Sequence, residues 1–180
     1  MSKAFGSKYS IETSKEAEEF YHFIKDLMEN DVVCEMKNFR HHYSTTCYQH
    51  CINVAYYNYI ICRKLGLDAR KAARAGLLHD LYLYDWRDQP RKRGEKPHGM
   101  RHPGIALENA KLNFDISKRE EDIIVKHMWP LTLKLPRYAE SYVIVVTDKY
   151  AAMLEIGSHL KGKLKGLGSK AKDSVMRKVS

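Results

Sequence analysis

His79 and Asp80 stand side by side at the end of the Ala/Leu-rich run Arg74-Ala-Gly-Leu-Leu-His-Asp80, and both side chains can ligate a divalent cation. A carboxylate beside such an apolar run is costly to bury alone, and a bound cation compensates its charge. An adjacent His-Asp is a common pair, equally compatible with a helix-end His and a solvated Asp, so its weight comes from what surrounds it. His50 lies 29 residues upstream, and Asp148 lies downstream in Ser141-Tyr-Val-Ile-Val-Val-Thr-Asp148. Between them fall His102, in His-Pro-Gly-Ile-Ala106, and His127, in Ile-Ile-Val-Lys-His127. Imidazole nitrogens and carboxylate oxygens suit borderline and hard ions such as Mn, Fe, Ni, Co, Zn or Mg, and no thiolate set is present for a structural zinc. A metal held by His50, His79, Asp80 and Asp148 lowers the pKa of bound water enough to supply hydroxide near neutral pH, so hydrolysis is the expected chemistry.

These residues need helices to position them. Thr13-Ser-Lys-Glu16 has capping-box spacing, and Ala17, Phe20, Ile24, Leu27 and Met28 follow at helical intervals. The pattern from Val32 to His42 is irregular. Its Arg40-His-His-Tyr43 cluster is either a packed loop or a set of supporting or phosphate contacts near His50. Ser44 or Thr45 can cap a helix running to Leu65, with Gly66 as its stop and His50 flanking its apolar face. Asp68 caps a helix that ends near His79 and Asp80. Residues 85–102, rich in Pro, Gly and basic side chains, read as a loop, and Pro103 suits the first position of the next helix, with His102 at its lip. Ser117-Lys-Arg-Glu120 caps a helix that contains His127 and stops near Pro130. A last core helix from about Tyr138 to Gly157 carries Asp148 in its interior. No repeat and no convincing strand pairing is present.

The order His, His-Asp, His, His, Asp over about residues 48–150, with Ala-Gly-Leu-Leu-His-Asp80 at its centre, resembles the HD-domain metal-dependent phosphohydrolases. The resemblance implies an all-α, HD-domain-like bundle of about six to eight helices, with its core at about 46–152. It also implies a second ion held by His102 and His127, Asp80 bridging the two ions, and an attacking hydroxide held between them. Two cations would neutralise charge building on a phosphoryl group, so cleavage of a phosphate ester or anhydride is the expected reaction. His98 precedes His102 by four residues and could replace it or contact substrate; His102 is preferred because His-Pro followed by Ala106 matches the family pattern. Cyclic-dinucleotide phosphodiesterases of this superfamily carry Gly-Tyr-Pro soon after their late histidine. Here His127 is followed by Met-Trp-Pro-Leu-Thr, which argues against a cyclic dinucleotide.

Length and composition fit this reading. A chain of 180 residues with 44% hydrophobic content suits a single domain with a real core, expected over residues 1–160. No run of 18 apolar residues and no secretory leader appears, so a soluble, cytoplasmic protein with no membrane contact is expected. Cys34, Cys47, Cys51 and Cys62 could form two disulfides, or Cys47 and Cys51 could share a zinc with His50. Their apolar, helical setting favours free, buried thiols in a reducing compartment. The formal charge is +9, but residues 161–180 hold seven Lys or Arg and one Asp, so a basic C-terminal tail is expected on a nearly balanced body. The basic stretch at 85–102 offers Arg91, Arg93 and Arg101, with His98, as contacts for an anionic substrate, a nucleotide or similar phosphorylated metabolite. Two other classes remain open: a metal-retaining module that senses such a metabolite without turnover, and nucleic-acid binding through the loop and tail, against which the balanced body counts.

Overall fold

The computed structural model describes residue 4 and residues 14–41, 45–89 and 93–179, with the backbone alone over 164–179. Among the described residues seven α-helices form an all-α bundle: α1 (Lys15–Met28), α2 (Asp31–Glu35), α3 (Cys47–Lys64), α4 (Ala69–Leu78), α5 (His98–Asn113), α6 (Lys118–Lys126) and α7 (Ala139–Val179). A 3-10 turn (Met36–Asn38) follows α2. No strand occurs among the described residues; Arg40 and Thr46 form one isolated antiparallel bridge.

Helices α3 and α4 make the closest pair, and glycine is what lets them approach. A Cβ on Gly76 would meet the Ala55 Cα at 2.8 Å and the Asn58 amide nitrogen at 2.9 Å. Asn58 then joins three elements. Its Nδ2 donates to the Ala72 carbonyl at 3.3 Å, and its Oδ1 accepts from the Thr147 hydroxyl on α7 at 2.6 Å. Around this contact Phe20, Ile24, Leu27, Ile52, Leu77, Leu78, Ile123 and Ile124 are fully buried. Burial of large aliphatic side chains on this scale is the main favourable term in folding.

Local signals set most helix ends. Gly66 sits at φ +69°, and the Leu67 N–H reaches the Cys62 carbonyl at 2.9 Å, the closure expected where a left-handed residue ends a helix. The Asp68 side chain accepts from Lys71 N, and Ser117 with Glu120 forms the reciprocal capping box. On α6, Asp122 takes the Arg137 N–H at 2.9 Å and the Ser141 hydroxyl at 2.7 Å, which fixes the start of α7.

Five boundaries differ from expectation. Ser14 caps α1 by accepting from Ala17 N, while Thr13 lies outside the described residues. Thr46 caps α3, not Thr45, and Ser44 lies outside the described residues. The stretch from Val32 to His42, read as irregular, begins within a short helix because the Asn30 side chain caps Val32 N and restarts the chain after α1. The loop ends earlier than expected: α5 begins at His98 and carries Pro103 in its interior. Proline removes one N–H and crowds a carbonyl four residues back. Near a helix start this still leaves most of the helix bonded. Finally, α7 continues past Gly157 to Val179, so residues 161–179 of the basic segment extend the last helix. Exposed glycines lower helix propensity by about 1 kcal/mol each without forbidding the conformation.

Candidate metal centre

Each histidine of the centre is aimed by a bond on its far side. His79 and His127 occupy equivalent places, the C-terminal caps of α4 and α6. Their Nδ1 atoms lie 2.8 Å from the carbonyls of Gly76 and Ile124, among the last carbonyls that a helix leaves unbonded. His102, inside α5, places Nδ1 3.1 Å from the His98 carbonyl. A carbonyl can only accept, so Nδ1 carries a proton and Nε2 is the atom turned inward to the centre. His50, fully buried on α3, meets a carboxylate instead: its Nδ1 lies 3.1 Å from Oε1 of Glu155. Asn53 donates to the same oxygen at 2.8 Å and holds it in place.

The inward atoms gather around Asp80. Its Oδ2 lies 3.6 Å from Nε2 of His79, and Oδ1 of Asp148 lies 3.8 Å from that nitrogen and 3.1 Å from Nε2 of His50. Its Oδ1 faces the other way, 3.1 Å from Nε2 of His102 and 3.5 Å from Nε2 of His127. Ligand atoms of His50, His79 and Asp148 lie within 4.8 Å of one another, as do those of His79, Asp80 and His127. Two observations test whether these residues fit a cation. Nε2 of His79 and Oδ1 of Asp80 are buried without a hydrogen bond, and Nε2 of His102 faces Nε2 of His127 at 2.7 Å. Buried polar atoms are normally satisfied, and two lone pairs at that separation repel unless a proton or metal lies between them. The donor set therefore fits divalent metal, with the six expected ligands brought together and Asp80 offering one oxygen to each half.

Charge within the centre is strongly coupled. Burial disfavours the charged form of every group there, yet the partners of opposite sign prevail at most positions. Burial would raise Asp80, but His79 and His102 hold it well below the usual carboxylate range. Asp148 is held there likewise by His50 and His79. Burial would lower His50, but Asp148 and Glu155 raise it well above 6.5. His127 has no such compensation. Burial, then the neighbouring His79 and His102, push it down to about 3.

A cleft of about 490 Å³ opens onto the centre, its walls including Asp80, Tyr82, Trp86, His98, Met128 and Lys149. His98 stacks on His102 at 4.8 Å, and burial lowers its pKa to about 4, so it faces the cleft uncharged. Of the basic residues expected on the rim, one lines another cleft. Arg93 is exposed, Arg101 pairs with Glu95 and lines a separate cleft of about 440 Å³, and Arg91 lies outside the described residues. The thiols are free. Cys47 donates to the Asp80 carbonyl at 3.3 Å and takes no place among the ligands.

Three contributors escaped the sequence reading. Glu155 had a signal, since it follows Asp148 by seven residues and so shares its helix face. Lys149 had none beyond its adjacency to Asp148. His41, weighed only as part of a cluster, places Nε2 2.9 Å from Oδ2 of Asp80 and stacks on His50 at 3.9 Å. No periodicity could assign that contact, because a loop carries it.

Comparison with known proteins agrees with the geometry. No curated protein and no solved structure matches the chain. The HD domain family model matches residues 47–153, from the first residue of α3 into α7. That span is more than half the chain and contains all six converging side chains, so the chain belongs to the HD-domain family.

Proposed function

We propose that this protein is a metal-dependent phosphohydrolase that cleaves a phosphate ester or anhydride of a small phosphorylated metabolite, a nucleotide or a similar polyanion. The observation that carries the reading is the pair of inward-facing donor sets sharing Asp80, each histidine fixed through Nδ1. One or two divalent ions bound there supply Lewis acidity and a water of lowered pKa, the usual requirement for phosphoryl transfer to water.

The side chains do the rest. Asp80 orients its two oxygens toward the two halves of the centre, and His41 holds Oδ2 from the solvent side. Glu155 and the three carbonyls retain the Nδ1 protons, which keeps each Nε2 available and its ring in place. Lys149 brings a cation to the cleft wall, where a phosphoryl oxygen can be bound. His98, uncharged and held 3.3 Å from the Tyr84 hydroxyl, offers a hydrogen-bonding ring beside it. Tyr82, Met128 and Ala152 supply apolar wall that thins the water around the reacting group.

Four free cysteines fit a reducing, cytoplasmic setting, and no helix among the described residues is long and apolar enough to cross a membrane. The deciding experiment is metal analysis of protein purified without chelators, followed by a panel of nucleotides and sugar phosphates. Turnover that is lost with chelator and with Asp80→Asn supports the reading. Saturable binding with no turnover of any member would make the protein a sensor instead.

A further inference from the structure

His41 comes to the metal centre from the loop before α3, and its place there is built. Its backbone N–H donates to the Thr45 carbonyl and the Cys47 N–H to the Phe39 carbonyl, each at 2.8 Å, which closes the loop on itself. Arg87, from the segment beyond Asp80, donates to the carbonyls of Arg40 and His41 and straps the loop down. The His41 side chain is 11% exposed, and its ring lies parallel to that of His50, at 3.9 Å and 10°. A ring fixed this firmly has little freedom left to lose when it binds an ion.

The ring is aimed at one oxygen. Nε2 of His41 lies 2.9 Å from Oδ2 of Asp80, the oxygen turned toward His79, while Oδ1 faces His102 and His127. Ligand atoms of His41, His50 and Asp80 lie within 4.8 Å of one another, the same spread as in the two groups built from the expected ligands. Neighbouring donors in a six-coordinate shell, each about 2.1 Å from a small divalent ion, stand about 3 Å apart. The His41–Asp80 and His50–Asp148 pairs, at 2.9 and 3.1 Å, both have that spacing. A hydrogen bond across each pair keeps the same distance in the metal-free chain.

We infer that His41 is itself a metal ligand, the fifth side chain on the ion held by His50, His79, Asp80 and Asp148. The inference rests on the metal-binding part of the proposed function and is independent of the substrate. Three imidazoles and two carboxylates suit six-coordinate Mn, Fe, Co or Ni. Five donors exceed the four of a tetrahedral zinc site, and three nitrogens disfavour Mg and Ca. The other half of the centre, with His102, His127 and Asp80, keeps three donors. The two positions therefore differ, the first holding its ion the more tightly.

The test is read from the metal and not from turnover, with cobalt(II) as the probe. In cobalt-loaded protein the ring N–H protons of ligating histidines give strongly shifted, solvent-exchangeable NMR signals, one for each ligand ring. The unaltered chain should give five such signals with two ions bound, or three with one ion at the His50 half. Four or two would overturn the inference. His41→Gln can still donate to Asp80 through its amide but is a poor ligand for cobalt. It should therefore lose one shifted signal, keep the others and change the visible absorption of the bound cobalt. A full set of signals and an unchanged spectrum in that variant would make His41 a hydrogen-bond partner of Asp80 alone. If His41→Gln does not fold, the count on the unaltered chain decides. Phosphate turnover with only four or two signals would overturn this inference and leave the phosphohydrolase reading standing, whereas a chain that binds no cobalt and turns over no phosphate ester would overturn both.

Discussion

The Nε2 atoms of His102 and His127 face each other at 2.7 Å, while each ring's Nδ1 is engaged with a carbonyl of its own helix. Neither ring can relieve the contact by exchanging tautomers without losing that carbonyl. A proton on His102 would relieve it in the metal-free chain, and a divalent ion held by the two rings with Asp80 would do so in its place. The unaltered chain should therefore bind two divalent ions under metal-replete conditions. His102→Ala and His127→Ala should each lower the metal content by about one equivalent, measured by elemental analysis after gel filtration. Unchanged stoichiometry in both variants would leave a mononuclear centre.

Protons and metal compete for the same nitrogens. Burial disfavours protonated His50 and His102, but their carboxylate partners raise both above 6.5, so without metal these rings tend to hold protons against Asp148, Glu155 and Asp80. A histidine raised on folding adds stability that is fully present below pH 6.5 and lost as pH climbs through the folded value. Metal-free protein should thus lose thermal stability as pH rises above about 6.5. Divalent ion should restore it, binding more tightly at higher pH. Calorimetric titration in buffers of different ionisation enthalpy should show net proton release on binding; proton uptake would contradict this account.

Glu155 reaches the centre through His50, whose Nδ1 lies 3.1 Å from it. Glu155→Gln keeps the shape but loses the charge that makes the ring a stronger donor. Metal affinity should fall by roughly 10- to 100-fold, the usual effect of removing a partner of this kind. Competition with a chelator dye measures it. An unchanged affinity would assign Glu155 to packing alone.

Gly76 links the fold to the site, since a Cβ there would come within 2.8 Å of the Ala55 Cα and its carbonyl meets Nδ1 of His79. Gly76→Ala should destabilise the fold by about 1–3 kcal/mol, the range for overpacking a close contact. In a chain of this size that lowers the melting temperature by roughly 2–12 °C. Metal should bind more weakly too, as the separation of α3 and α4 parts His50 from His79. A melting curve unchanged from the parent would show that the helices slide apart at no cost.

Arg101 lines a different cleft and pairs with Glu95, and Arg93 is exposed at a turn, so we propose that these charges attract substrate from a distance. Replacing both with Gln should lower kcat/KM for a nucleotide several-fold at low salt, with the loss shrinking at high ionic strength as surface fields are screened. A loss independent of salt would mean direct contact or a structural role.

Most of the helices and the ligand types were legible in the chain's local chemistry. The i, i+3, i+4 recurrence of Phe20, Ile24 and Leu27, the stop at Gly66 and the capping box at Ser117 are local chemistry, legible because each depends on neighbours a few residues away. The ordered set His50, His79, Asp80, His102, His127 and Asp148 was visible for a related reason: residue type alone limits what can ligate a cation. Tertiary structure decided the rest. Pro103 lies inside a helix that begins at His98, where Trp86 and Tyr82 meet the His98 ring from outside that helix. His41 reaches Asp80 from a loop, Glu155 reaches His50 across 105 residues, and Trp86 borders both clefts although its own neighbours read as a basic loop. Contacts between distant segments depend on how helices pack, and packing is set by the whole core at once rather than by any one stretch of chain.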